Sequence, residues 1–187
     1  MNYSFRKKNK KVKYIVIHYT GMESFSEAIS KLNNLNSDVS CHYLISKSGL
    51  IFNLLCPSFK AWHAGNSQWK DLNNLNDYSL GIELENKGHD HGYDNFSSKQ
   101  YSSLKKLITF LNKNFQIQHQ NIIFHSDISP NRKRDPGEKF LPYKAGISRF
   151  KKYSPYKKKY STLDLLRIYG FSNFYLKKYK SDCIKAV

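Results

Sequence analysis

The stretch HSDISPNRKRDPGEKF, residues 125 to 140, sets His125 and Asp135 ten positions apart with Lys133 two positions before the aspartate. A second histidine, His18, ends the apolar run YIVIHYT at 14 to 20. Two imidazole nitrogens and one carboxylate oxygen suit Zn²⁺, with a fourth position left for water. Glu83 sits inside the apolar run LGIELE, where a carboxylate is costly to bury unless it is paired or functional. As a general base it would serve a water beside the metal. Taken singly, each residue has a blander reading. A histidine at a strand end is commonly structural, an aspartate before proline starts turns, and Glu83 with Glu85 would decorate a half-solvated edge strand. The co-occurrence of ligands, acid and base favours chemistry.

The elements that must position these residues follow from periodicity. YIVIHYT reads as a buried strand delivering His18. In SFSEAISKLNNLN, Ser24 and Glu27 form a capping-box pattern and Phe25, Ala28, Ile29, Leu32 and Leu35 share one helical face. CHYLISKSGLIFNLL carries two β-rich runs around Lys47, Ser48 and Gly49, a hairpin pattern. Pro57 to Asp77, containing AWHAG, reads as a loop. SLGIELE at 79 to 85 is a further strand, on which Glu83 and Glu85 point one way and Ile82 and Leu84 the other. A long helix is expected from Ser97, with Gln100 in capping-box position and Tyr101, Leu104, Ile108, Leu111 and Phe115 at spacings of three and four. NIIF at 121 to 124 is a short strand delivering His125, followed by a Pro/Gly-punctuated loop to about Gly146. The order predicts an α/β fold: a mixed central β-sheet flanked by helices.

Bulk properties agree with one catalytic or binding domain. The chain has 187 residues, 40% of them hydrophobic and 15% aromatic, enough for a packed core. Its net charge of +17 is confined to the ends, since residues 1 to 13 hold six Lys/Arg and no acid and residues 144 to 187 hold twelve against two acids. The nearly neutral centre and the lack of a nucleic-acid motif count against a nucleic-acid-binding protein. No apolar run approaches the ~20 residues of a transmembrane helix, and the N-terminus lacks a signal-peptide pattern, so a cytoplasmic location is expected ahead of a periplasmic or envelope one. Cys41, Cys56 and Cys183 lack metal-ligand spacing and read as isolated buried thiols.

The blocks IVIHYT, VSCHYLISKSGLIFNLL, AWHAGNSQWKDLNNLNDYSLGIELEN and HSDISPNRKRDPGEKF, in this order, resemble the zinc-dependent N-acetylmuramoyl-L-alanine amidases of the type 2 family, related in fold to peptidoglycan recognition proteins. The resemblance spans about residues 14 to 143. It implies one Zn²⁺ held by His18, His125 and Asp135, with Glu83 as catalytic glutamate and Lys133 stabilising the oxyanion. The implied reaction is hydrolysis of the amide between the lactyl group of N-acetylmuramic acid and L-alanine, in peptidoglycan or in muropeptides including anhydro forms. His63 and Trp62 fall in a block that in the family lines the substrate groove, which implies substrate binding; Trp69 offers a sugar platform or core packing. Asn76 and Asn86 flank the GIE strand and can bond backbone or groups behind the ligands. His42 reads as structural, and His89, His91 and His119 as polar surface residues.

The expected division is a basic N-terminal segment at 1 to 13, a zinc amidase catalytic domain at 14 to 147, and a basic linker with a short helical tail at 148 to 187. STLDLLRIYG and SNFYLKKYK are the helix candidates of this tail. LDLLRIYGF weakly resembles the opening of the family's wall-binding module, which implies a truncated one; a solvated lysine-rich extension is the alternative. The expected partners are peptidoglycan or muropeptide substrate, no specific nucleic acid, and an anionic envelope surface for the basic tail. A monomer is expected. A non-catalytic peptidoglycan-binding protein on the same fold is the alternative function.

Overall fold

The computed structural model describes residues 2–148 and 161–186; the basic linker RFKKYSPYKKKY at 149 to 160 lies outside the described residues. In chain order the elements are β1 (Tyr3–Phe5), β2 (Tyr14–Tyr19), α1 (Phe25–Asn33), β3 (Tyr43–Ile45), β4 (Ile51–Asn53), β5 (Phe59–Ala61), β6 (Gln68–Trp69), β7 (Leu72–Asn73), β8 (Ser79–Leu84), α2 (Ser98–Phe115), β9 (Ile122–Phe124), α3 (His125–Ile128), α4 (Thr162–Tyr169), α5 (Asn173–Lys178) and α6 (Lys180–Lys185).

Five strands form the central mixed sheet in the order β4-β3-β8-β2-β9. β3, β8, β2 and β9 run parallel, and β4 closes one edge antiparallel to β3 as the expected hairpin. β8 is therefore an inner strand, not the half-solvated edge that would make Glu83 a surface acid.

Alternation along these strands sorts the sheet into two faces. Ile15, Ile17, Leu80, Ile82, Leu84, Tyr43, Ile45, Ile122 and Phe124 pack in one core with Leu104, Ile108 and Leu111 of α2. The α2 N-terminus carries the full reciprocal box, Ser97 with Gln100. The opposite face is shared. One end, with Tyr14, Val16 and Ile123, packs against Trp69, Ile128 and the tail residues Leu166, Phe171, Tyr175 and Leu176. The other end carries His18 and Glu83, which are lateral neighbours in the β2–β8 ladder. Beside them Leu44 packs with Leu32 of α1 and Cys41.

Several expectations needed correction. Leu35 lies beyond α1 and is exposed, because the helix ends at Asn33. The segment from Pro57 to Asp77 contains β5 and the β6–β7 hairpin; its strands are two or three residues long and lack the apolar runs that mark the equally short β3, β4 and β9. Cys41 and Cys183 are buried free thiols, but Cys56 is exposed. The tail has a third helix, α6, and its helices dock on the sheet through Trp69, whose indole meets Tyr169 and Phe171 edge-on.

Candidate active site and metal centre

His18 is the penultimate residue of β2, Glu83 lies beside it on β8, and His125 follows directly on β9, so three side chains converge at the carboxyl ends of parallel strands. The fourth, Asp135, arrives by a loop that doubles back: the Ser126 N–H donates to the Asp135 carbonyl at 3.0 Å. Within it the Ser129 carbonyl accepts from Arg132 N–H and Lys133 N–H. Outside it Ser129 Oγ donates to Asn66 O at 2.7 Å, Arg132 Nη2 to Ala64 O at 2.7 Å, and Tyr93 Oη to Pro136 O at 2.6 Å. The ten-residue spacing thus closes a turn that brings its two ends together.

His18 Nδ1, His125 Nδ1 and Asp135 Oδ2 stand 2.9, 3.0 and 3.0 Å from one another. All three residues are buried, and this is the one such His/Cys/Asp/Glu group among the described residues. Bonds of ~2.0 to 2.1 Å in a tetrahedron place ligand atoms about 3.3 Å apart, so the triad needs only a small expansion to reach a zinc-sized site.

The outer nitrogens fix which ring atoms face inward. Ser79 Oγ donates to Leu75 O at 2.6 Å, so it accepts from His63 Nε2 at 3.2 Å. His63 Nδ1 then accepts from His18 Nε2 at 3.0 Å, leaving His18 Nδ1 with its lone pair turned to the centre. His125 Nε2 donates to Ala64 O at 3.2 Å, which in the neutral ring leaves Nδ1 bare in the same way. Such partners orient ligands and set their basicity. Burial, then the neighbouring His125, pushes His18 down to about 4. Burial, then His18, takes His63 well below its usual value, so the relay is neutral.

Glu83 is half-buried, yet its Oε2 is sealed from solvent with no hydrogen-bond partner among the described residues. Burial, then the Asp135 charge, raises its pKa well above the ordinary glutamate value, with Lys133 pulling the other way. Glu83, Lys133, His63 and the three triad residues line one cleft of about 330 Å³ with Lys31, Arg134 and Asp90 at its mouth. A larger hollow of about 1040 Å³ adjoins it between the metal loop and α6, sharing Arg132, Lys133 and Arg134 but none of the triad.

Trp62 does not line the cleft; its indole Nε1 donates to Ser4 Oγ on β1 at 2.9 Å. Trp69 is 2% exposed, so packing is its place in the fold. His42 is buried and accepts from Gly81 N–H through Nδ1 at 3.0 Å. Asn76 Oδ1 accepts from the N–H groups of His63 and Ala64, holding the AWHAG segment. Asn86 Oδ1 accepts from Gly88 N–H at 3.0 Å, shaping the turn after β8. His89 departs from its expected idleness: it contacts Tyr19 Oη and Glu138 Oε2, both at 2.9 Å, and stacks on Tyr93. Ser79 and Tyr93 went unnoticed in the sequence, since their roles rest on contacts 16 and 43 residues away.

A mixed α/β sheet with a two-histidine, one-aspartate group and a sealed carboxylate at the ends of its parallel strands has the equipment of a metal-assisted hydrolase. Residues 8–138 match the family Amidase_2, N-acetylmuramoyl-L-alanine amidase, and the chain belongs to that family. It is 34% identical over 142 residues to the N-acetylmuramoyl-L-alanine amidase AmiD of Escherichia coli, covering 70% of this chain and 50% of that one. To the 1,6-anhydro-N-acetylmuramyl-L-alanine amidase AmpD of Haemophilus influenzae it is 39% identical over 103 residues, 54% of each chain. The chain thus spans about half the length of these curated relatives. Among solved structures, AmpDh3 of Pseudomonas aeruginosa in complex with anhydromuramic pentapeptide superposes with a TM-score of 0.74 at 31% identity, over 90% of this chain and 79% of that one.

Proposed function

We propose that this chain is a zinc-dependent N-acetylmuramoyl-L-alanine amidase, cleaving the amide between the lactyl group of N-acetylmuramic acid and L-alanine. The observation that carries the reading is the convergence of His18 Nδ1, His125 Nδ1 and Asp135 Oδ2, with the sealed Glu83 one strand away. His18, His125 and Asp135 would hold the metal. When bound, zinc supplies Lewis acidity to the attacking water and to the amide carbonyl. Glu83, which lines the cleft beside His18, would take the proton of that water and pass it to the departing L-alanine nitrogen. Lys133 sets a positive charge on the cleft wall, where the carbonyl oxygen turns negative. His63 and Ser79 hold the His18 ring throughout.

The names of the relatives support a substrate among peptidoglycan fragments, with 1,6-anhydro-muropeptides as its leading member and wall turnover or recycling as the setting. No helix of the described residues is long and apolar enough to cross a membrane.

The test is elemental analysis of the purified chain, followed by digestion of an anhydro-muramyl peptide with and without chelator. One zinc per chain and chelator-sensitive release of peptide with N-terminal L-alanine are expected. Ala variants of His18, His125 or Asp135 should lose metal and activity together. Binding of the peptide without cleavage by zinc-loaded protein would mark a recognition protein and overturn the assignment.

A further inference from the structure

Arg6 lies in the basic N-terminal segment and outside the family-matched span, which begins at residue 8. It nevertheless reaches into the body of the fold. β1 pairs antiparallel with β5, in the register Tyr3 to Ala61 and Phe5 to Phe59, and delivers the guanidinium beneath the AWHAG segment. There Nε donates to Pro57 O at 3.2 Å, Nη1 to Asn76 O at 2.9 Å and Nη2 to Ser79 O at 2.6 Å. A planar fork that spans three carbonyls fixes their relative positions in a way no single ammonium can.

Two of those carbonyls belong to residues that hold His63. Asn76 grips its backbone, with Oδ1 accepting from His63 N–H at 3.1 Å and Ala64 N–H at 2.8 Å. Ser79 grips its ring, with Oγ 3.2 Å from Nε2. The other ring nitrogen of His63 meets His18. We propose that Arg6 is a positioning residue for the metal centre, acting through Asn76 and Ser79 on His63 and through His63 on His18.

His42 sharpens the point. Its Nδ1 accepts from Gly81 N–H, so its Nε2 carries the proton and donates to Phe59 O at 3.2 Å. Arg6 Nη2, also 3.2 Å from that nitrogen, therefore makes a donor-to-donor contact there and takes its bond from Ser79 O instead. The guanidinium is committed to the carbonyls.

The inference rests on the metal-centre reading, and its test separates the two. Full-length wild type, Arg6→Ala, Arg6→Lys and the control Tyr3→Ala, which alters the same strand at its exposed face, are compared in four ways. These are zinc affinity by competition with a chromophoric chelator, the visible spectrum of the Co²⁺-loaded protein, ¹⁵N shifts of the histidine rings, and melting temperature without metal. Arg6→Ala should weaken zinc about 10-fold, alter the Co²⁺ spectrum and move the His63 resonances. Arg6→Lys should fall between, and Tyr3→Ala should change at most the melting temperature. A purely structural Arg6 would lower the melting temperature but leave affinity, spectrum and His63 shifts of the folded protein as in wild type, and that result overturns the proposal. Should Arg6→Ala fail to fold, wild-type affinity and spectrum in Arg6→Lys overturn it equally. A wild type that binds no metal refutes the metal centre itself.

Discussion

Glu83 is the residue at which stability and reactivity oppose each other. Its Oε2 is sealed without a partner, and burial followed by the Asp135 charge raises its pKa. A carboxyl whose folded pKa lies above its unfolded one favours folding most at low pH, and that contribution is lost as pH rises through the folded value. Glu83→Gln removes the ionisation while keeping the shape. Without metal, the variant should melt higher than wild type at pH 7, and the difference should shrink as pH falls toward 4. With zinc present, turnover should fall roughly 10²- to 10⁴-fold while metal content stays at one. Melting curves across pH and a single-turnover assay check both; a variant less stable than wild type at pH 7 would refute the strain argument. The candidate ligands were legible in sequence because type and spacing suit a metal: His18 and His125 stand at the carboxyl ends of apolar runs, and Asp135 shares a turn with Lys133. His63 was legible as a site residue but its linkage was not, since Ser79 reads as an ordinary strand serine until the fold brings it against the ring.

At the level of elements, β8 does most of the positioning. It lies between β3 and β2, carries Glu83 beside His18, and at Gly81 leaves room for the His63 ring. A Cβ added at Gly81 would fall 2.5 Å from His63 Cγ, with the rigid imidazole unable to fold away. Gly81→Ala should therefore destabilise by about 1 to 3 kcal/mol through overpacking. It should also weaken metal binding roughly 10-fold by displacing His63. Chemical denaturation and the chelator competition measure the two effects separately. β2, β8 and α2 were visible from periodicity because six or eighteen residues display it, and the three-residue β3, β4 and β9 from apolar runs; β1, β5, β6 and β7 are as short and sit in mixed polar stretches that show neither. The N-terminal basic run concealed β1 for a second reason: its lysines advertise solvent, while Arg6 among them turns inward.

Across the whole molecule, one sheet face does two jobs. Near the amino ends of its parallel strands it is roofed by the tail helices, and at their carboxyl ends it opens as the cleft. Trp69 is the pin of the roof, packed edge-on by Tyr169 and Phe171, with Gly170 so close that a Cβ there would lie 2.4 Å from its ring. Trp69→Ala should cost about 3 to 5 kcal/mol, seen as a lowered denaturation midpoint with zinc affinity of the folded protein retained. The docking of 161 to 186 was beyond the sequence, because helix candidates declare an apolar stripe but not the surface that receives it.

The same sheet that sets Glu83 beside His18 also makes the centre a record of assembly. His18 and His125 are 107 residues apart and meet only once β2 has zipped to β9. A slip of one residue in that pairing turns His18 to the opposite face. On the metal-centre reading, metal capture would therefore proofread the β2–β9 pairing: a chain collapsed in the wrong register there would have no centre to load, so the appearance of Co²⁺ colour during refolding would time that closure, independent of any probe of compaction.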